Sequence, residues 1–364
     1  MAVTVKQGHV LDVLARMEAG SVQTVCTSPP YLWAREYGTE PQAWPDGWTG
    51  DLGQEDTPER YVDHMVEVFR AVWRVLRDDG TLWLNLGDTY YNDPGGQNGA
   101  SGNVSSRSVE ANRQVGRRKR PKHPVLKRKD RIGVPWRVAL ALQADGWYLR
   151  SEIIWHKPNA LPDSATDRPG RAHEQVFLLS KRPDYYYDAQ AVREPAAWER
   201  WGDQTTKKRN PGTLSWLPDR SKAELSERTT RNLRSVWTIP VASYTEAHFA
   251  VFPPALVEPC ILAGSRAGDT VLDPFGGSGT VGLVAERLRR DAILIELHPD
   301  YVALASGRIQ GDAPLFADVQ HEGALGVAPP IPAGGKQASH PNRTVAGFNQ
   351  RYKAKQQALE DAAG

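Results

Sequence analysis

The chain has 364 residues, of which 40% are hydrophobic, and its formal net charge is +2. This length allows one large domain or two smaller ones with a substantial core. No stretch approaches the roughly 18 apolar residues of a membrane span. The first residues lack a basic segment followed by an apolar one, so we expect a cytoplasmic protein without a membrane partner. Cys26 and Cys260 are the only cysteines, too few for a disulfide scaffold or a cysteine zinc site, and we expect no bound metal.

The first part of the chain alternates helix and strand signals, which is typical of an α/β fold. VLDVLARM (10–17) predicts a short amphipathic helix, and SVQTVCT (21–27) predicts a buried strand. TPERYVDHMVEVFRAVWRVLRDDG (57–80) predicts a long helix with Thr57 as its N-cap, because apolar residues recur at helical spacing after it. TLWLNLGD (81–88) predicts a second buried strand.

The segment that follows the first predicted strand reads Ser-Pro-Pro-Tyr (28–31). Neither Pro29 nor Pro30 can donate a backbone hydrogen bond, so the strand must end before them. One interpretation is an ordinary loop. The other is a rigid turn that holds Ser28, the Pro29 carbonyl and the Tyr31 ring at the carboxyl end of a strand, where open α/β sheets bind ligands.

Residues 92–131 are too poor in apolar side chains to pack, and they predict a flexible insertion. Its second half, RQVGRRKRPKHPVLKRKDR (113–131), is strongly basic. Charge runs of this kind contact polyanions or form solvated loops, and both interpretations remain open for this segment.

The segment after the insertion, GVPWRVALALQADGW (133–147), predicts a helix that has a proline in its first turn. Two strands are predicted at 148–158 and 174–188. Residues 190–240 are rich in Trp, Arg and Thr without clear periodicity, and only NLRSVWTIP (232–240) resembles a strand.

FPPALVEPCILAG (252–264) predicts a helix, and 269–309 reads as strand, glycine loop, helix, strand, turn and helix. The end of the chain, from about Gly323, is rich in Pro, Gly and Ala and resembles a linker. These signals divide the chain into six segments: 1–91, the basic insertion at 92–131, 132–189, 190–245, 246–310 and a tail at 311–364.

The glycine loop VLDPFGGSGTVGLVA (271–285) connects a buried strand to a helix, as in nucleotide-binding α/β units. Its spacing differs from the dinucleotide pattern G-x-G-x-x-G, and Asp273 precedes it. Glu296 ends the next predicted strand, where an acidic side chain can hold ribose hydroxyls. A carboxylate at Asp273 suits a ligand with a cationic group, and S-adenosyl-L-methionine carries both a ribose and an ammonium group. A purely structural glycine turn is the alternative.

TSPPY (27–31) resembles the catalytic motif of DNA amino-methyltransferases, and DPFGGSGT (273–280) resembles their cofactor loop. The order of the two motifs resembles the β class of that family, and the likeness covers most of 1–310. The resemblance implies an α/β fold of the Rossmann-like, S-adenosyl-L-methionine-dependent type with seven strands, a circularly permuted motif order and an inserted target-recognition region. It would place the catalytic region at 1–91 and 132–189, the target-recognition region at 190–245 and the cofactor-binding region at 246–310.

The resemblance also implies roles for individual residues. Ser28 and the Pro29 carbonyl would bind the amino group of a DNA base on the rigid turn completed by Pro30, and Tyr31 would stack on that base. The implied cofactor contacts are Asp273, Pro274, Phe275, Gly276, Gly277, Ser278, Gly279, Thr280, Glu296, His248 and Phe249.

In this family, Ser at the head of the motif is associated with cytosine and Asp with adenine. We therefore expect methylation of the exocyclic amino group of cytosine in double-stranded DNA, by base flipping and direct attack. The alternatives are an adenine-amino DNA methyltransferase, a non-catalytic DNA-binding relative, and methylation of RNA or of a protein glutamine. A cognate restriction endonuclease is a candidate partner, and the sequence leaves the oligomeric state open.

Family members commonly carry an acidic residue near the cofactor adenine where this chain has His9, and Asp12 is a candidate substitute. His156 and Lys157 either line the pocket of the target base or have a structural role. Asp88 either orients the site or caps a turn. We expect Cys26 and Cys260 to be core residues, and Trp198, Trp201 and Trp216 to belong either to the target-recognition region or to the core.

Overall fold

The computed structural model describes most of the chain, in seven stretches. They are residues 1–35, 37–91, 122–163, 165–195, 230–243, 250–312 and 318–322. Several predictions lie outside these residues: the first part of the basic insertion, most of the target-recognition region with its three tryptophans, His248 and Phe249, and nearly all of the tail.

Helices and strands alternate along most of the described chain. The strands are β1 (Ala2–Gln7), β2 (Val22–Thr27), β3 (Gln42–Ala43), β4 (Thr49–Gly50), β5 (Leu76–Leu86), β6 (Tyr148–His156), β7 (His173–Ser180), β8 (Glu194–Pro195), β9 (Thr230–Arg231), β10 (Val236–Thr238), β11 (Ala242–Ser243), β12 (Ala250–Val251), β13 (Thr270–Asp273), β14 (Asp291–Glu296) and β15 (Asp318–Glu322). The helices are α1 (Val10–Arg16), α2 (Pro58–Val75), α3 (Val134–Ala144), α4 (Pro254–Gly264), α5 (Thr280–Arg287) and α6 (Pro299–Asp312). None of these helices is long and apolar enough to cross a membrane.

One large sheet organises the structure, with the strand order β10-β6-β7-β5-β2-β13-β14-β1-β15. All neighbours are parallel except β7, which is antiparallel to both β5 and β6. The expected Rossmann-like α/β architecture is confirmed, but in the described part of the chain the sheet has nine strands rather than seven. The additional strands are the outermost ones: β10 pairs with β6, and β15 pairs with β1. The predicted tail therefore contributes a strand to the sheet.

The sheet is covered by helices on both faces. Along β5, Leu82, Leu84 and Leu86 pack in the cluster that contains α1, α2 and α3, whereas Trp83 packs in the cluster that contains α4, α5 and α6. Successive side chains of a strand point to opposite faces, so the two clusters lie on opposite sides of the sheet. The central strand β2 is buried along its whole length. Groups that contact a ligand must therefore lie beyond the ends of this strand.

Some element boundaries differ from the predicted ones. Helix α2 ends at Val75 rather than Gly80, because Leu76 is fully buried and already starts β5. Strand β7 ends at Ser180 rather than at 188. Ser180 Oγ donates to the Arg182 carbonyl, and a proline follows that cannot donate to a strand ladder.

Both cysteines lie in the core, as predicted. Cys26 and Cys260 are fully buried and unbridged. The Cys260 thiol donates to the Leu256 carbonyl one turn earlier in α4 at 3.3 Å. Burial raises the pKa of Cys26 far above its usual value, with a further contribution from the adjacent Cys260. Neither thiol has the exposure of a nucleophile, and the pKa of Cys26 is raised rather than lowered.

The N-cap of α2 gives a direct test of the local sequence signals. The Thr57 side chain accepts a hydrogen bond from the Arg60 backbone N–H at 3.2 Å. We expect Thr57→Ala to lower the free energy of unfolding by about 1 kcal/mol, because one N–H at the start of the helix loses its acceptor. Urea unfolding measures the change, and Thr57→Ser, which keeps the hydroxyl, is the control. Equal losses in both variants would contradict the capping role.

Candidate active site

The Ser-Pro-Pro-Tyr turn begins immediately after β2, which ends at Thr27 as predicted. The turn is anchored from α2, since Tyr61 Oη donates to the Pro30 carbonyl at 2.9 Å. Pro29 is buried, yet within the described stretches no donor reaches its carbonyl oxygen. The turn therefore holds one backbone acceptor without a protein partner beside the Ser28 hydroxyl.

Tyr31 is fixed by residues of two neighbouring strands. Its hydroxyl lies 2.8 Å from Asn85 Oδ1 on β5 and 3.0 Å from Glu174 Oε2 on β7. The Ser28 hydroxyl lies 3.1 Å from Tyr31 Oη and 3.2 Å from Asn85 Oδ1. Burial raises the pKa of Tyr31 well above its usual value, and the negative charge of Glu174 adds to the shift. Tyr31 therefore keeps its proton and acts as a donor.

A close approach between strand β5 and the tyrosine ring explains why Gly87 follows the strand. A Cβ atom at Gly87 would lie 2.4 Å from Cε2 of Tyr31. Real Cβ atoms do not approach other atoms so closely, so a side chain at this position would displace the ring. Gly87 thus gives Tyr31 its place at the edge of the sheet.

Glu174 continues the polar cluster toward β6. Its Oε1 accepts from Lys157 Nζ at 2.5 Å, and the same ammonium lies 4.0 Å from the centre of the Trp155 ring. Both charged side chains are mostly buried, with 15% of Lys157 and 13% of Glu174 exposed. Lys157 is thus brought into the site, whereas His156 turns to Thr238, with 3.2 Å between His156 Nδ1 and Thr238 Oγ1.

Sequence reasoning missed Asn85 and Glu174 as functional residues. Both lie in segments that carry the family resemblance, LWLNLGDTY and RAHEQVFLLSK. The available signal was a polar residue beside apolar ones: Asn85 lies inside the run LWLNL, and Glu174 lies shortly before VFLL. A buried polar side chain needs a hydrogen-bond partner, so such residues mark places where strands exchange polar contacts.

The second predicted motif starts at Asp273, the last residue of β13. Its Oδ1 accepts from Thr27 Oγ1 at 2.7 Å and from the Phe275 backbone N–H at 3.0 Å. Burial raises the pKa of Asp273 to about 7, although both hydrogen bonds oppose the shift, and the charge of Glu296 adds to it. The bond to Thr27 joins this motif directly to the strand that carries the Ser-Pro-Pro-Tyr turn.

The glycine loop has the tight geometry that its sequence predicts. Gly279 has a φ of +78°, and a Cβ atom there would lie 2.8 Å from Ala305 Cβ on α6. Glu296 ends β14, and its two carboxylate oxygens accept from the Gly277 and His298 backbone N–H groups, each at 2.8 Å. Burial raises the pKa of Glu296. Glu296 therefore fixes the loop, and each oxygen retains a lone pair for a ligand.

The remaining loop residues have different surroundings. Pro274 and Gly276 are buried, and Phe275 is half-buried against the core. Arg308 of α6 donates to Ser278 Oγ at 3.0 Å and to Thr280 Oγ1 at 2.8 Å. Both hydroxyls thus help to hold α6 against the loop.

Asp88 has the capping role that was one of its two predicted interpretations. Its Oδ1 accepts from the Gly133 and Val134 N–H groups at 3.0 and 2.9 Å, at the start of α3. Its Oδ2 accepts from Arg131 at 2.5 Å. This contact ties the described end of the basic insertion to the strand that carries Asn85.

His9 lies at the end of β1, where family members commonly have an acidic residue. Its Nε2 is buried without a hydrogen-bond partner in the described part of the chain, and its ring packs edge-on against Trp44 at 5.1 Å. Burial lowers the pKa of His9, and the nearby Asp12 partly opposes this shift. The ring is therefore neutral near pH 7, and the role of Asp12 as a substitute stays a prediction.

A sequence profile of DNA methylases of the N6/N4 type matches residues 22–307. The chain belongs to this family. The Type II methyltransferase M.XycI of Xanthomonas campestris pv. cyanopsidis is 44% identical over 309 residues, which are 85% of this chain and 88% of that protein. The protein is thus a DNA methyltransferase whose similarity extends over nearly the full length of a Type II enzyme.

Solved structures show the same fold. PvuII DNA methyltransferase, described as cytosine-N4-specific, has a TM-score of 0.56 at 20% identity and covers 87% of this chain and 92% of its own. TTHA0409 of Thermus thermophilus, solved in complex with S-adenosyl-L-methionine, has a TM-score of 0.54 at 24% identity and covers 89% and 100%. The fold of this methylase is that of S-adenosyl-L-methionine-dependent methyltransferases.

S-adenosyl-L-methionine is the cofactor of this methylase, and the residues present fit it. Asp273 is buried and Glu296 is half-buried, and neither carboxylate forms an ion pair with a side chain of the described part. Burial raises the pKa of both groups. A ligand that carries cationic groups and ribose hydroxyls supplies the positive charge and the donors that this pair lacks.

The raised pKa of Asp273 predicts a pH-dependent gain in stability for Asp273→Asn. In the folded state the Asp273 carboxyl keeps its proton up to about pH 7, whereas in the unfolded state it releases that proton near pH 3.8. Asp273 therefore lowers the free energy of unfolding as the pH rises between these two values. We expect urea unfolding without cofactor to show a gain on the order of 4 kcal/mol at pH 8 and a much smaller one at pH 5. S-adenosyl-L-methionine should stabilise the wild type but not this variant.

Asp300→Asn is the matched control for that measurement, because the Asp300 side chain is 91% exposed. We expect its unfolding free energy to equal that of the wild type at both pH values. If Asp273→Asn changed stability equally at pH 5 and pH 8, the raised pKa would be contradicted.

Gly87→Ala tests whether methylation depends on the position of the Tyr31 ring. The new Cβ atom would overlap the ring, and a displacement of about 1 Å in an active site can reduce the rate by about a hundredfold. We expect a loss of that size in methyl transfer to DNA, measured with labelled cofactor, and a normal circular dichroism spectrum. Gly170→Ala is the control, because its nearest atom would be 3.4 Å away. Wild-type activity in Gly87→Ala would show that the ring position is unimportant.

Proposed function

We propose that this methylase transfers a methyl group from S-adenosyl-L-methionine to the exocyclic amino group of cytosine in double-stranded DNA. The observation that carries this proposal is the Pro29 carbonyl, which has no protein donor in the described stretches and lies next to the Ser28 hydroxyl. Two acceptors at the carboxyl edge of the sheet suit a substrate that presents two N–H hydrogens. An exocyclic amine is such a substrate.

The chemistry of the amine explains why acceptors are needed. The lone pair of an exocyclic amine is delocalised into the base, which makes the nitrogen a weak nucleophile. Acceptors that draw both hydrogens out of the plane of the base localise that lone pair on the nitrogen. The cofactor supplies an electrophilic methyl group when bound. Ser28 and the Pro29 carbonyl then contribute through preorganised position and charge, and no covalent intermediate with the protein is required.

The proposal assigns the cofactor to the glycine loop. Asp273, Glu296 and the loop 274–280 would hold it, and His248 and Phe249 would complete its site. The bond between Thr27 and Asp273 supports this assignment, because it brings the cofactor loop next to the Ser-Pro-Pro-Tyr turn. Donor and acceptor of the methyl group would therefore meet where β2 and β13 end.

A base in duplex DNA must leave the helix to reach this turn. Tyr31 offers a ring on which an extruded base can stack, which offsets part of the cost of unstacking. The ring is held in one orientation by hydrogen bonds from its hydroxyl to Asn85 and Glu174. The exposed cations of 122–131 include Lys127 and Lys129, which pair with Asp130 and Asp167 at the surface, and these cations would contact DNA phosphates.

Cytosine is proposed over adenine because Ser28 heads the motif, and Ser is associated with cytosine in this family. Adenine is the second candidate, since a serine oxygen can accept from either amine. The segment 190–245 would select the DNA sequence. A cognate restriction endonuclease and a cytoplasmic location stay predictions.

Mass spectrometry of nucleosides tests the proposed function. Varied duplex DNA is incubated with the protein and S-adenosyl-L-methionine and then digested. We expect cytidine methylated on the amino nitrogen, and we expect Tyr31→Ala to reduce its yield at least tenfold, because the stacking surface is lost. Methyladenine instead would replace the base assignment and keep the mechanism. Absence of any methylated nucleoside would overturn the proposal in favour of RNA, a protein glutamine or a non-catalytic relative.

A further inference from the structure

A continuous line of hydrogen-bonding groups leads away from the methylation turn, and the proposed methyl transfer does not use all of it. Ser28 Oγ is 3.1 Å from Tyr31 Oη, and Tyr31 Oη is 3.0 Å from Glu174 Oε2. The line therefore consists of two hydroxyls and a carboxylate. Each hydroxyl can accept a proton from one side and donate its own to the other side.

The reaction creates a proton that must leave. When the amine nitrogen gains a methyl group it becomes cationic, and it must lose one N–H hydrogen to give the neutral product. The amide of Asn85 holds both hydroxyls through Oδ1, but an amide does not take up a proton. Among the described residues, Glu174 is the carboxylate hydrogen-bonded to Tyr31. Asp273 is bonded to Thr27 instead.

We propose that the Ser28 and Tyr31 hydroxyls carry the proton released by the methylated amine to Glu174. An N–H bond of the amine breaks as an O–H bond forms on Ser28, the Ser28 proton passes to Tyr31, and the Tyr31 proton passes to Glu174 Oε2. The cationic amine becomes neutral, and the carboxylate becomes a carboxylic acid that later returns its proton to solvent. This inference rests on the proposed function, because it requires an amine on the Ser28 side.

Lys157 and Asn85 position this path. Lys157 occupies Glu174 Oε1, which leaves Oε2 directed at Tyr31, and its ammonium group compensates the negative charge of this mostly buried carboxylate. Asn85 Oδ1 lies within 3.2 Å of both hydroxyl oxygens and keeps them close to each other. The raised pKa of Tyr31 fits its role, since a hydroxyl that remained ionised could not pass a proton onward.

The competing interpretation is a structural ion pair. Buried pairs such as Lys157 and Glu174 are common, and removal of one partner leaves an uncompensated charge. A structural role predicts loss of folding or of DNA binding when Glu174 is changed. A proton path predicts instead a slower chemical step with folding and binding retained.

The test measures the chemical step in a single turnover, with enzyme in excess over duplex DNA, from pH 5 to pH 9. The variants are Glu174→Gln, Tyr31→Phe and the double variant. Glu152→Gln on strand β6 is the matched control, because its side chain lies outside the Ser28–Tyr31–Glu174 line. Calorimetry measures S-adenosyl-L-methionine binding. The fluorescence of 2-aminopurine at the target base measures base extrusion independently of methylation.

We expect Glu174→Gln and Tyr31→Phe each to slow the chemical step about a hundredfold, which is the lower range for loss of a general base. The double variant should be no slower than either single variant, because each breaks the same path. Cofactor binding should match that of the wild type in every variant. The 2-aminopurine fluorescence should match in Glu174→Gln, because its amide oxygen can still accept from the Tyr31 hydroxyl.

A second substitution that restores a carboxylate near Ser28 extends this test. Asn85→Asp in the Glu174→Gln background places a carboxylate oxygen where Asn85 Oδ1 lies, 3.2 Å from Ser28 Oγ. The total charge of the cluster is then the same as in the wild type. Recovery of the single-turnover rate in this double variant would support transfer of the proton to a carboxylate.

Two outcomes overturn the proposal. One is a Glu174→Gln rate within twofold of the wild type over the whole pH range. The other is a slower rate that is fully explained by lost base extrusion, since this would mean a structural role. Failure of the proposed function itself has a different signature, because the wild type would then yield no methylated nucleoside.

Discussion

The hydrogen bond from Thr27 to Asp273 is the contact on which the arrangement of this methyltransferase depends. It spans 2.7 Å and joins residues that are 246 positions apart in the chain. It forms because β2 and β13 are parallel neighbours, with Val25 opposite Leu272. The two strands end at the same edge of the sheet, so the Ser-Pro-Pro-Tyr turn and the glycine loop begin side by side. Burial disfavours the ionised form of Asp273, but its hydrogen bonds to Thr27 and Phe275 hold the starts of both motifs together.

From this central pair, polar groups extend along the same edge of the sheet in one direction. Strand β5 contributes Asn85, the antiparallel β7 contributes Glu174 near its start, and Lys157 follows the end of β6. In the other direction, β14 contributes Glu296. On one side the edge therefore has two carboxylates, Asp273 and Glu296, and on the other side the Glu174 carboxylate is balanced by the Lys157 ammonium group. This division follows from strand order alone.

Local signals in the sequence predicted much of this structure, because strand ends, helix caps and glycine turns are set by neighbouring residues. The end of β2 before Pro29, the cap at Thr57 and the loop after Asp273 all follow from such signals. Asn85 and Glu174 were missed because their role depends on which strands are adjacent and in what register, and spacing along the chain does not reveal that. The strand β15 was missed for a similar reason: its five residues are mostly exposed, and only pairing with β1 makes them a strand.

The position of β13 between β2 and β14 has a consequence for synthesis of the protein on the ribosome. Until residue 270 has emerged, β2 can pair with β5 but not with its other neighbour, so one edge of the most buried strand stays open. An open apolar edge invites pairing with other chains. A nascent or truncated chain that stops before β13 is therefore prone to aggregate, because the strand that leads into the Ser-Pro-Pro-Tyr turn lacks its second partner.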